Sequence, residues 1–137
     1  MTKTDFNPFM ASALRLPTPL KPKIDALVQR GTGSGVEDSP FSRTVDFWFL
    51  AACVTIAGGK AKPTGEGAKG WKFNEGSVLR DSRTRIELME LAGIGVLNDP
   101  EVVKTPEVIA GLFNDCAALG APDLLKAVEA GEGTALR

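Results

Sequence analysis

The sequence predicts a mainly α-helical fold: a single-domain bundle of about five helices around a buried central helix at 41–57, with room for a small β-hairpin near 60–73. Three observations predict it. Apolar residues recur near the helical period in several stretches, most of them opened by serine, threonine or proline and closed by glycine. One stretch, Phe41 to Ala57, is apolar nearly all round, and a helix without a polar face is normally buried on most sides. The chain has 137 residues, 43% of them hydrophobic and 24% charged, which suits one globular core rather than disorder. The helical domain is placed at 19–130, between an irregular N-terminal arm (1–18) and a flexible tail (131–137).

The arm contains Pro17 and two aromatic residues, Phe6 and Phe9, expected to dock on the core or on another subunit. Leu20 to Arg30 reads as a short helix, because Ile24, Leu27 and Val28 share one face, and Gly31 ends it. Residues 31–38 form a glycine-rich loop. Its G-x-G-x-G spacing follows a helix rather than a strand, so it is not a dinucleotide fingerprint, and the Gly-Lys-Ser/Thr of a phosphate loop is missing. Ser39-Pro40 restarts the chain as cap and first helical position of the central helix. Gly58-Gly59 stops that helix, and Lys60 to Gly70 is an exposed loop. Trp71-Lys72-Phe73 alternates apolar and polar residues, which fits a short strand needing a partner, such as the 60–70 loop.

Ser82 caps a helix over Arg83 to Ala92, closed by Gly93. Asp99-Pro100 makes a turn. Thr105-Pro106-Glu107 opens another helix, with Val108, Ile109, Leu112, Phe113, Cys116 and Leu119 on its apolar side. Gly120 ends it, and Pro122-Asp123 opens a last helix through Leu124, Leu125 and Val128. The longest apolar run is too short to span a bilayer, and residues 1–20 lack the apolar segment of a secretory signal, so a cytoplasmic protein without membrane attachment is expected.

The chain contains no histidine, which removes Ser-His-Asp and Cys-His catalysis and every histidine metal site. Tyrosine is absent too, leaving Asp, Glu, Lys and Cys for proton transfer. The cysteines, Cys53 and Cys116, sit in apolar helical patterns and read as reduced core thiols. Asp99, Glu101, Glu107 and Asp115 are spread along the acidic C-terminal part and read as a solvated face. Neither a catalytic constellation nor a cofactor or metal site is expected.

Charge is uneven. Residues 60–85 hold seven basic residues (Lys60, Lys62, Lys69, Lys72, Arg80, Arg83, Arg85) against three acidic ones, while residues 86–137 hold three against nine. The basic seven are the candidate contacts for a partner or a nucleic acid, since phosphate binding combines positive charge with aromatic platforms such as Trp71. The bland alternative pairs them with neighbouring acids, Arg83 with Glu87 for instance. Arg43 and Asp46, three apart at the start of the central helix, suit a pair that fixes its entrance. Opposite charge in middle and end also suits a homo-oligomer, head to tail or about a two-fold axis.

One ordered pattern spans residues 40–128. It runs Phe41-x-Arg43-x-x-Asp46-x-x-Phe49-Leu50-Ala51-Ala52, a Gly/Lys/Pro loop, Trp71-Lys72-Phe73, a Leu/Glu-rich helix, Pro106-Glu107-Val108-Ile109 with Leu112, and the turn Ala118-Leu119-Gly120. This resembles the small accessory proteins encoded beside bacterial DNA phosphorothioation (Dnd) systems and related phage-defence loci. The resemblance implies a non-catalytic adaptor that binds a protein partner near DNA-acting machinery. The arm aromatics Phe6 and Phe9 and the basic 60–85 region are then the expected contact surfaces, with direct nucleic-acid binding by 60–85 as the alternative.

Overall fold

The computed structural model describes residues 7–28, 41 and 43–131. In chain order these form strand β1 (Ala13–Leu16), helix α1 (Lys21–Leu27), helix α2 (Thr44–Ala57), strand β2 (Trp71–Glu75), helix α3 (Arg83–Leu97) and helix α4 (Pro106–Gly131). Short 3-10 turns occupy 18–20, 66–69, 76–79 and 100–104. The fold is mainly helical with one two-stranded antiparallel sheet. The 31–38 loop, the Ser39-Pro40 start, Phe6 and the tail from 132 lie outside the described residues.

Four α-helices appear among the described residues rather than five, because 106–131 is one helix. Gly120 and Pro122 look like a stop and a restart, and Pro122 has no N–H to give the carbonyl one turn back. The helix nevertheless continues, and Gly120 serves a different purpose. A Cβ there would collide with the Ala51 carbonyl and lie 2.7 Å from Thr55 Oγ1. Glycine is required because α2 crosses α4 almost backbone to backbone. Thr55 Oγ1 donates to the Cys116 carbonyl at 2.7 Å, locking the crossing. Gly93 likewise does not close α3. It lies inside the helix, where a Cβ would sit 2.9 Å from Ile109 Cγ1 of α4. α3 ends instead at Asn98, in the left-handed conformation with φ 55°.

The central-helix expectation is also corrected. α2 starts at Thr44, where Asp46 accepts the Arg43 N–H at 3.0 Å. Phe41 precedes the helix, is buried, and packs edge-on against Phe47 with ring centroids 5.4 Å apart. One face of α2 buries Val45, Trp48, Ala51, Ala52 and Thr55, but Leu50 and Val54, one turn apart, are exposed. The fully enclosed run is in α4, where every residue from Leu112 to Ala117 is buried. Trp48 and Phe49 of α2 both meet Phe113 of α4, at 5.8 and 6.0 Å between centroids. The core is thus the α2–α4 crossing rather than a rod wrapped by its neighbours. Among the described residues, α4 is the one helix long and apolar enough to span a bilayer, and 67% of that stretch is buried against the rest of the protein.

The sheet corrects two further expectations. β2 pairs not with the 60–70 loop but with β1, from the arm read as irregular: Leu16 lies opposite Trp71 and Ala13 opposite Glu75, with a bulge between Leu14 and Arg15. Leu14 and Leu16 face the core, an alternation too short to stand out in sequence. Phe9 is fully buried and anchors the arm from within. Asn7 holds that turn, donating to the Gly76 carbonyl at 2.8 Å and accepting the Phe9 N–H at 2.9 Å.

Candidate functional site

Two polar side chains sit side by side in the most enclosed part of α4. Asn114 and Asp115 are each only 6% exposed. A buried polar group is costly unless its bonds are made, and these are made across the fold. Asn114 Oδ1 accepts the Arg15 N–H at 2.9 Å and the Trp48 indole N–H at 3.0 Å, while Nδ2 donates to the Ala13 carbonyl at 3.0 Å. The carboxamide thereby serves the outer edge of β1 as a third strand would. Asp115 Oδ2 accepts the N–H groups of Thr64 and Gly65 at 2.9 and 3.0 Å, and Oδ1 accepts that of Gly67 at 2.8 Å.

These bonds seat the loop before β2 on α4. Gly65 turns the chain with φ 80°, a conformation that favours glycine. Gly67 is pressed on the helix so closely that a Cβ would lie 2.6 Å from Asn114 Cβ. Asp115 therefore does not belong to a solvated acidic face; Asp99, Glu101 and Glu107 are exposed, and Asp115 is not. Composition could not separate it from the other acids, because its partners are backbone N–H groups of a distant loop. The usable signal was the carboxylate's place between Phe113 and Cys116 in an apolar helix.

The anchored loop divides two open grooves. The first, about 360 Å³, lies between Pro17-Thr18-Pro19 and the loop residues Glu66 and Lys69, with Leu119 of α4 among its lining. The second, about 450 Å³, lies between β1, represented by Ala13 and Arg15, the loop residues Pro63 and Ala68, and Val108 and Gly111 of α4. Both are lined mainly by apolar atoms. The Arg15 guanidinium donates to the Gly70 carbonyl at 2.9 Å, and a Gly70 side chain would strike the backbone of Leu16.

The seven basic residues are spread over the 60–70 loop, β2, the turn before α3 and the start of α3, and Lys69, Lys72 and Arg85 are among those engaged by acids of this chain. Lys69 meets Glu66 at 3.3 Å and Lys72 meets Glu75 at 2.8 Å. Arg85 bonds Asp46 at 2.7 Å and covers the Phe49 ring at 5.0 Å, tying α3 to α2. Arg43 completes this group 3.7 Å from the same carboxylate. Lys60, Lys62 and Arg80 are exposed, and Arg83 is half-buried. Trp71 faces Phe73 at 6.2 Å and carries Lys21 over its ring at 5.4 Å. Of the two arm aromatics, Phe9 is inside the core, and Phe6 lies outside the described residues.

Burial, reinforced by the neighbouring Asp115 charge, pushes the Cys116 thiol up to about 11. Burial also raises Cys53, against the lowering effect of Arg85. Both are therefore protonated thiols at neutral pH, and only the thiolate is a nucleophile or metal ligand. Among the described residues, no three His, Cys, Asp or Glu side chains gather where a metal ion would sit. The arrangement offers binding surfaces: two apolar grooves with walls fixed by Asn114 and Asp115. No protein-family model, curated protein or solved structure matches the chain.

Proposed function

We propose that this chain is a non-catalytic accessory protein of the cytoplasm that acts by binding another protein, and that its partner belongs to bacterial DNA-modification or phage-defence machinery. The supporting observation is the pair of apolar grooves flanking the loop that Asp115 anchors. Concave, mainly apolar surfaces with fixed walls suit recognition, because little freedom is lost when a partner binds. Exposed apolar side chains continue this surface at Val108 and Leu119. The placement among DNA-acting systems rests on the sequence resemblance over residues 40–128. The internal pairing of Lys69, Lys72 and Arg85 favours protein contact over phosphate contact.

Co-expression with the products of adjacent genes, followed by size-exclusion chromatography with light scattering, tests the reading. The expected result is a stable complex that Val108→Glu or Leu119→Glu weakens at least roughly tenfold, since a charge would be buried in an apolar contact. A complex indifferent to both changes, or none with any neighbour, refutes it. A parallel titration of duplex DNA decides the alternative. Tight binding that falls steeply with salt and is lost in a Lys60→Ala, Lys62→Ala variant would make the protein a nucleic-acid binder.

A further inference from the structure

Helix α3 is more apolar than its burial requires. From Ile86 to Leu97 every residue is apolar or glycine except Glu87 and Glu90, yet in the whole helix only Ile86, Met89 and Gly93 are buried. A helix with so little polar surface is normally covered on most sides. One side of α3 is covered by this chain, where Gly93 meets Ile109 of α4. On the other side Leu88 is 46% exposed and Leu91 64%, the largest exposure of any large apolar side chain among the described residues. The exposed residues Thr84, Leu88, Leu91, Gly95 and Asn98 step by four, three, four and three positions, the spacing of a helix–helix seam. No residue of α3 lines either groove, so this face is separate from the surfaces assigned to a foreign partner.

The seam is complementary to its own reverse. Leu88 is a knob, and Gly95, seven positions on, is a gap in which a Cβ would meet nothing within 4 Å. When two copies of α3 run antiparallel and cross near Leu91 and Ala92, each Leu88 falls on the Gly95 of the other copy. Charge selects the same direction. Arg80 and Arg83 outnumber Asp81 at the start of α3, and Asp99 and Glu101 outnumber Lys104 beyond its end. Antiparallel pairing sets the basic start of one copy beside the acidic end of the other and opposes the helix dipoles, whereas parallel pairing would bring like ends together. The two Glu87 carboxylates then stand about 13 Å apart along the axis, and Glu90 lies off the seam, about 100° around the helix from Leu91.

We propose that this chain forms a two-fold homodimer through the exposed seam of α3, with the two helices antiparallel and each Leu88 seated on the Gly95 of the other copy. One face serves both copies, as closed two-fold symmetry demands, and the dimer leaves both grooves of each copy open. A contact between two helices about 22 Å long is smaller than the ~800 Å² per partner of a standard interface, so the dissociation constant is expected to be micromolar.

Sedimentation velocity of the full chain alone, from about 1 to 300 μM, tests it, and a shift from monomer to dimer is expected within that range. Leu91→Glu is expected to raise the dissociation constant at least roughly tenfold by placing a charge in the apolar contact. Because Leu91 is exposed, the circular dichroism of that variant at the lowest concentration should match the parent. Val108→Glu, in the larger groove, should leave the dimer intact. Arg83→Glu and Glu101→Lys should each weaken the dimer, and the two together should restore it, since each altered start then faces an altered end. A chain that stays monomeric throughout, a dimer indifferent to Leu91→Glu, or a double variant as weak as the weaker single one overturns the proposal. A monomer whose complex with a neighbouring gene product is broken by Leu91→Glu overturns it too and assigns the seam to a foreign helix.

Discussion

Replacing Asp115 by asparagine probes the anchor on which both grooves depend. The carboxylate accepts three backbone N–H groups, two on Oδ2 and one on Oδ1. An asparagine of the same shape can keep its oxygen toward Thr64 and Gly65, but its NH₂ group then faces the Gly67 N–H, donor against donor. One charge-assisted hydrogen bond is lost, a buried N–H is left without a partner, and the two remaining bonds lose their ionic character. With about 1–3 kcal/mol for an unsatisfied buried group and the weakening of the others, the expected loss is about 2–4 kcal/mol. For a domain of this size that is a fall of roughly 6–12 °C in the thermal midpoint. Urea unfolding followed by Trp fluorescence measures it directly, because Trp48 is bonded to the neighbouring Asn114. Asp123→Asn, at an exposed position of the same helix, is the control and should stay within about 0.5 kcal/mol. If Asp115→Asn changes stability no more than that control, the loop is not held by this carboxylate and the argument for fixed groove walls fails.

Two glycines of α4 should respond to alanine with opposite signs: Gly111→Ala, where a Cβ would meet nothing within 4 Å, is expected to stabilise by about 0.5–1 kcal/mol, and Gly120→Ala to destabilise by about 2 kcal/mol or more through collision with Ala51. Chemical denaturation of both variants would show the reasoning wrong if the signs agreed. The raised Cys116 pKa means that the folded state holds its proton more tightly than the unfolded chain does. That contribution is intact below the usual thiol value near 8.5 and is lost as pH rises toward about 11, with a slope of about 1.4 kcal/mol per pH unit. Stability measured across this window should fall less steeply in Cys116→Ala than in the parent. A double-mutant cycle on Asp46 and Arg85, whose side chains are 20% and 27% exposed, should return a coupling of about 1 kcal/mol, and additive effects would show that the α2–α3 tie carries no energy of its own.

Much of the architecture was already written in local patterns. Helices start at Pro106 and just after Ser82, where the sequence signals them, although the Ser82 side chain makes no cap bond and the Thr105 hydroxyl donates to the Val102 carbonyl instead. The strand around Trp71 was visible in its alternation. Sequence and structure part where one residue type serves two purposes. Gly93 and Gly120 look like helix stops, but a neighbouring helix needs the space of their missing side chains. Arg85 and Asp46 lie thirty-nine positions apart, and nothing in a linear pattern joins them.

What the sequence determined by itself is the class of the protein: a mainly helical chain with its core in apolar periodic segments and, lacking histidine, no imidazole chemistry. These depend on composition and on periods of a few residues, which are local. Only the tertiary structure decided that β1 finds β2, that 106–131 is one helix, and that Asp115 is an interior anchor rather than a surface acid. Each of these was decided by pairing between distant segments. A backbone N–H looks the same in every residue but proline, so where a buried carboxylate finds its donors is settled only when the chain has folded.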